Sequence, residues 1–221
     1  MIHLLLIVVA VALVDSLLNP TTILPSLYLA TTPRPVRGIL GFAAGAFVTS
    51  LAGGLVLLAV GDRLAHAVPR PSDDLVHWTE LCLGAVALVS AGVLWWQRDR
   101  VSASFAKAEL GAHRYAPLAG VTITAAELPT ALPYFAVIAS VAASNEAIPA
   151  QVFLLVVFNL VFLGPVFVIA LVRALAGPRA IGMIERVRAL TLAHAGAVVA
   201  GLSLLVGVVL VALGAVGLAA S

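Results

Sequence analysis

Asp15, Asn19 and Glu127 are polar side chains set in the middle of long apolar runs, each beside a pair of prolines: Pro20 and Pro25 in one stretch, Pro129 and Pro133 in the other. A carboxylate near a bilayer centre costs at least about 2.5 kcal/mol, so it must face protein or a wet cavity. A proline inside a helix removes a backbone hydrogen bond at a cost of about 3 kcal/mol. In lipid the freed carbonyls need partners in protein or in a water-lined cavity. Two stretches with the same pair of expensive features point to a polar site at mid-membrane built from two broken helices.

Asp15 and Asn19 are four residues apart and project from one helix face. With Pro20 opening the helix beside them, carbonyl and side-chain oxygens converge there. That chemistry suits a cation, a proton or a hydrogen-bonding substrate. The alternative is a neutral, structural Asp15 bonded to Asn19 or to the fourth helix. Glu127 stands near mid-depth with Thr130 on a neighbouring face, and a carboxyl so placed can exchange a proton. The expected site is therefore Asp15, Asn19, Pro20, Thr22, Glu127, Pro129, Thr130 and Pro133, with Asn159 and His194 as further members. Asn159 serves either the site or interhelical bonding. His194 can relay protons or make a simple interhelical bond. Thr122 and Thr124 are expected to bond their own backbone, and Tyr28 and Tyr134 to pack at an interface or in the core.

The two stretches echo each other. Shifting the first by 108 positions sets Asn19 on Glu127, Thr22 on Thr130, Leu24 on Leu132 and Pro25 on Pro133. Asp15 falls on Ile123 and has no acidic counterpart.

The rest of the chain must position these residues. Of 221 residues, 62% are apolar and 10% charged, against about 25% charged in soluble domains. This is the composition of an all-α integral membrane protein whose first partner is the lipid bilayer. The lone Cys82 excludes an internal disulfide and a two-cysteine redox relay. A net charge of +2 without a basic cluster excludes nucleic acid. The histidines His3, His66, His77 and His113 lack metal-ligand spacing, and Asp73-Asp74 reads as a solvated face. No Ser–His–Asp set, nucleotide loop or HExxH motif is present. The reading is no enzyme, no catalytic residue, no cofactor and no bound metal.

A span needs about 20 apolar residues, and six segments are expected: 2–30, 38–60, 80–97, 117–143, 148–175 and 189–218. The start of the chain has no basic region and reads as the first span rather than a cleaved leader. Gly41 with Gly45, and Gly53-Gly54, allow close helix packing in the second. Thr49 and Ser50 there read as backbone-bonded or as interhelical glue. Polar or charged connections are expected over 61–79, 97–115 (with a short surface helix near 103–110) and 176–188 (with an amphipathic turn at 181–188), and a tight turn at Asn145-Glu146. Ten of the 12 basic residues fall in the first, third and fifth loops. The positive-inside rule then puts both termini outside. Three helices per half give two inverted repeats, 1–115 and 116–221.

Six helices with Asp15-Ser16 and Asn19-Pro20 in the first resemble the lysine-exporter (LysE) superfamily. The stretch Glu127-Leu128-Pro129-Thr130-Ala131-Leu132-Pro133-Tyr134 is similar to its sulfolipid- and peptidoglycolipid-addressing (GAP, Sap-like) branch. Leu17-Leu18, between Asp-Ser and Asn-Pro, departs from a tighter family spacing. The resemblance implies a cytoplasmic-membrane protein that moves a small polar or glycolipid substrate to the envelope, with envelope-lipid export proteins or a second copy as partners. The expected function is a proton-coupled secondary exporter. The alternatives are a metal-cation or amino-acid exporter, an accessory subunit of an envelope-lipid machine, or an intramembrane lipid enzyme.

Overall fold

The computed structural model of the chain describes residues 1–67, 73–112, 115–144 and 146–220. The expected roles of Arg70, His113, Arg114, Asn145 and the side chains of His66, Asp73 and Asp74 lie outside the described residues. Every regular element among the described residues is helical. In chain order these are α1 (Ile2–Leu18), α2 (Pro20–Leu29), α3 (Pro35–Ala67), α4 (Asp73–Trp96), α5 (Arg98–Ala112) and α6 (Ala116–Glu127). A 3-10 turn (Leu128–Thr130) follows, then α7 (Leu132–Ala142), α8 (Ile148–Phe162) and α9 (Gly164–Ala176). A second 3-10 turn (Gly177–Ala180) leads into α10 (Ile181–Ala220).

Both expected breaks are present. The chain bends by 61° between α1 and α2, and by 73° between α6 with its 3-10 turn and α7. The first break follows from local chemistry. Asn19 sits at φ −95°, ψ 101° and its side chain accepts from Thr21 N–H, while Pro20 opens α2. Asparagine at the N-cap with proline at the first helical position is a strong helix-start signal. It here starts a new helix one residue after the old one stops. Pro25 lies inside α2 and does not mark the break. In the second stretch Pro129 sits in the 3-10 turn, and Pro133 in the first turn of α7 after Ala131 at φ −76°, ψ 63°.

Several expected boundaries need correction. The polar connection over 61–79 is largely helical: α3 runs on to Ala67 and α4 begins at Asp73. The short surface helix extends over Arg98–Ala112, one residue after α4. The basic segment 176–188 is a 3-10 turn followed by the start of α10, not a loop. Arginine is a good helix former, so charge alone did not end these helices. The fifth span is divided at Leu163, where Gly164 and Pro165 start a new helix. Of its two pieces, α8 has 15 residues, about 22 Å of helix against a core of about 30 Å. Among the described residues three helices are long and apolar enough to cross a membrane, or up to five spans if each bent pair counts as one.

The chain forms two compact units. The first comprises residues 1–67 and 107–189, the second residues 68–106 and 190–221. In the first, α3 packs against α6 backbone to backbone. A Cβ on Gly45 would strike the Pro117 carbonyl, and one on Gly120 would strike the Phe42 carbonyl. Helices in lipid gain little from hydrophobic burial and associate through such close van der Waals contact. Around this seam Val8, Leu27, Ile39, Phe42, Ala46, Val137, Leu154 and Phe158 form a buried core. On α1, Leu6, Leu13 and Leu17 are exposed while Val8 and Ala12 are fully buried, one face for lipid and one for protein. In the second unit α4 packs on α10, with Gly84 against Val211 and Gly207 against Leu88.

Candidate functional site

The two breaks meet in the first unit. Asn19 Nδ2 donates to Glu127 Oε1 at 2.6 Å. Thr21 N–H donates to Asn19 Oδ1 at 2.9 Å. The Thr21 hydroxyl stands 2.5 Å from Asn19 Oδ1 and 2.5 Å from Glu127 Oε1. A hydroxyl has one proton to donate, so Thr21 serves one of these two acceptors at a time. Asn19 therefore works with both ends of its amide: the oxygen caps α2 and the nitrogen holds the acid of the other broken helix.

Glu127 is the last residue of α6, where the helix dipole disfavours negative charge. Its carboxyl is directed instead to the N-terminus of α2, where unpaired N–H groups and a partial positive charge favour an anion. Among the described residues Oε2 makes no hydrogen bond. Asp15, half-buried one turn before Asn19, is within electrostatic reach of Glu127. Asp15 makes no hydrogen bond to Asn19, whose amide bonds Glu127 and Thr21 instead. The arrangement gathers a carboxyl, an amide and a hydroxyl between the ends of two half-helices, with the Asp15 carboxyl on α1 one turn before the break. Such a group of oxygens can bind a proton or a hard cation.

The other expected members occupy different places. Thr22 is buried, and its carbonyl accepts from the Ser26 hydroxyl at 2.8 Å. Pro20 is buried at the start of α2 and Pro133 is half-buried, while Pro129 is exposed. Thr130 is exposed and its hydroxyl donates to the Glu127 backbone carbonyl at 2.9 Å, closing the 3-10 turn. His194 lies in the second unit, exposed, with Nδ1 donating to the Leu190 carbonyl of its own helix. Thr122 bonds its own backbone as expected, through the Leu118 carbonyl at 3.0 Å. Thr124 does not: its hydroxyl is buried without a partner among the described residues. Gly120, one turn earlier, lets α3 approach closely, with the Phe42 carbonyl where a Cβ would stand.

Asn159 is fully buried and belongs to a second polar group. Its Nδ2 donates to the Leu155 carbonyl at 2.8 Å and to the Tyr134 hydroxyl at 3.3 Å. Tyr134 in turn donates to the Ser50 carbonyl at 3.0 Å, and its ring stacks on Phe158 with centroids 4.7 Å apart. A Cβ on Gly54 would strike the Tyr134 hydroxyl, so Gly54 opens the slot that lets a phenol reach a helix carbonyl. This ties α7, just past its break, to α3 and α8.

Thr21 and Tyr134 are the polar contacts that sequence reasoning missed. The signal for Thr21 was the Asn-Pro start of α2, which places the second following residue against the cap. Tyr134 shows no such signal, because a tyrosine in an apolar run reads equally as packing.

Apolar helices make this a membrane-embedded protein. Comparison with curated proteins and with solved structures found no match. A family profile described as "Sap, sulfolipid-1-addressing protein" matches residues 8–216, which includes both breaks and every residue of the site. The chain belongs to the Sap, sulfolipid-1-addressing protein family.

Proposed function

We propose that this protein is a proton-coupled secondary exporter that moves a lipid-linked or small polar substrate out of the cytoplasm or inner leaflet, within the cytoplasmic membrane. Asp15 and Glu127 carry the exchangeable protons. Asn19 and Thr21 hold Glu127 at the α2 terminus and release it when its charge changes. The observation that carries this reading is the hydrogen bond from Asn19 to Glu127, which joins the two helix breaks around an intramembrane acid.

The same bond supports an inverted repeat. Asn19 and Glu127 are separated by 108 positions, the shift that aligns the two stretches. Residues equivalent under a two-fold axis touch each other only near that axis, so the site lies where the halves 1–115 and 116–221 are related. Transporters of this plan bind substrate at the repeat interface, between discontinuous helices. In this reading α8 with α9 is a third broken span, six spans cross the membrane, and both termini lie outside. It also makes the chain a relative of the lysine-exporter superfamily.

The family description supports a lipid-linked cargo. The test is a lipid inventory of the envelope of cells lacking the protein. An outward-exposed glycolipid that disappears, with its precursor retained inside, supports the reading. Unchanged lipids with altered metal or amino-acid sensitivity would move it to another cargo. Loss of the lipid in cells where the amide variants Asp15→Asn and Glu127→Gln both restore it would favour an accessory subunit.

A further inference from the structure

The basic end of the first unit holds a feature that export by the central site does not use. Arg173, at the end of α9, donates from Nε to the Ala30 carbonyl at 2.9 Å, just past the end of α2. The Arg188 guanidinium, in the first turns of α10, lies 5.3 Å from the centre of the Tyr28 ring. Two arginines from different elements are thus fixed within the last turn of the same helix, at Tyr28 and Ala30. Both are half-buried, so their charges are held rather than trailing in solvent. Arg173 keeps its two terminal nitrogens unbonded among the described residues, and a guanidinium fork matches a phosphate in geometry.

The surroundings repeat the pattern. Arg34 and Arg37, which follow α2, and Arg179 and Arg186, between α9 and the early turns of α10, are exposed and pair with no carboxylate among the described residues, and Glu185 is the one acid in 177–188. Leu175, Met183 and Val187 are exposed beside them at 79%, 53% and 43%. Exposed apolar side chains interleaved with arginines, at the ends of membrane helices, fit the boundary between acyl chains and headgroups.

We propose that this end of the first unit, where α9 and the start of α10 flank the end of α2, is a docking site for the headgroup of an anionic phospholipid. Arg173 and Arg188 hold the phosphate, and the exposed Met183 and Val187 lie along the acyl chains. The lipid is a resident of the bilayer and not the cargo, so the inference stands whether or not the central site exports lipid. A general orienting role for basic loops would be served equally by any arginine on this side of the membrane; a built site would not.

The test is native mass spectrometry of the full chain in detergent, counting retained phosphatidylglycerol against phosphatidylcholine. The wild type is expected to retain phosphatidylglycerol preferentially. At about 1 kcal/mol per basic residue near an anionic lipid, Arg173→Gln with Arg188→Gln weakens that binding roughly 25-fold. Arg98→Gln with Arg100→Gln, which removes the same charge from the second unit, leaves it unchanged. Arg188→Gln alone, which leaves the Arg173 bond to the Ala30 carbonyl in place, decides the matter through a loss of roughly fivefold if the pair does not fold. Equal retention of both lipids, an equal loss in the Arg98/Arg100 control, or displacement of phosphatidylglycerol by millimolar inorganic phosphate would each overturn the proposal.

Discussion

Thr21 sets the behaviour of the site at the scale of single residues. Its hydroxyl stands between Asn19 Oδ1 and Glu127 Oε1 and can serve one acceptor at a time. A charged Glu127 attracts that proton, and a protonated Glu127 returns it to the cap of α2. Thr21→Val keeps the shape and removes this exchange. We expect export to fall strongly while folding changes by about 1 kcal/mol, the usual worth of one hydrogen bond, and Thr21→Ser to restore export. Equal export by the Val and Ser variants in a transport assay would remove Thr21 from the mechanism. Asp15, Asn19 and Glu127 were legible in the sequence because an acid or amide in an apolar run is costly and stands out. Thr21 was not, since threonine in a membrane helix is cheap when it bonds its own backbone. Asn159 stood out for the same reason as Asn19, but its partners were hidden: nothing in residue types says that its nitrogen reaches Tyr134.

Elements are held by glycine seams. The α3–α6 contact needs Gly45 and Gly120, where a Cβ would meet backbone. Replacing either by alanine forces the helices apart, and overpacking of this kind costs about 1–3 kcal/mol. Gly61, with nothing within 4 Å of its Cβ position, should accept alanine without loss. Thermal melts in detergent check this: a lowered midpoint is expected for Gly120→Ala and not for Gly61→Ala. Tyr134→Phe keeps the stack on Phe158 and removes the bonds to Ser50 and Asn159. A loss of about 0.6 kcal/mol is typical for interhelical bonds in membranes. The larger expected effect is on export, because the orientation of α7 past its break loses its tie to α3. The small-residue pairs of α3 were readable as spacing. The helix ends were less so: arginine-rich segments looked like loops, yet Arg98 and Arg186 sit inside helices. The break at Leu163 was missed because Gly164-Pro165 can kink a span as well as divide it.

For the whole molecule, apolar composition and charge asymmetry carry the account. The membrane-embedded, all-helical class was legible from composition alone. Six spans were read there, against three to five candidate spans among the described residues. Broken helices fall below the length that marks a span, and α8 ends after 15 residues. Orientation is tested by cysteine labelling in a Cys82→Ser background. Residue 72 should react from outside and residue 104 only from the cytoplasm. The reverse pattern would reject the orientation. Each compact unit contains segments from both halves of the chain. Two halves that exchange elements in this way cannot be read as two domains in sequence, even where a repeat relates them.

The central claim is that Asp15 and Glu127 form one proton-exchanging site that drives export. It is tested most directly by export from cells carrying Asp15→Asn, Glu127→Gln or both, at equal expression and thermal stability. The amides keep shape and most hydrogen bonds but remove the charge and the exchangeable proton. If the two carboxyls act as a unit, each single variant abolishes most export and the double variant adds little more, because groups that work together lose their effect at the first deletion. Near-wild-type export by both single variants would contradict the account and leave a polar packing site between two broken helices.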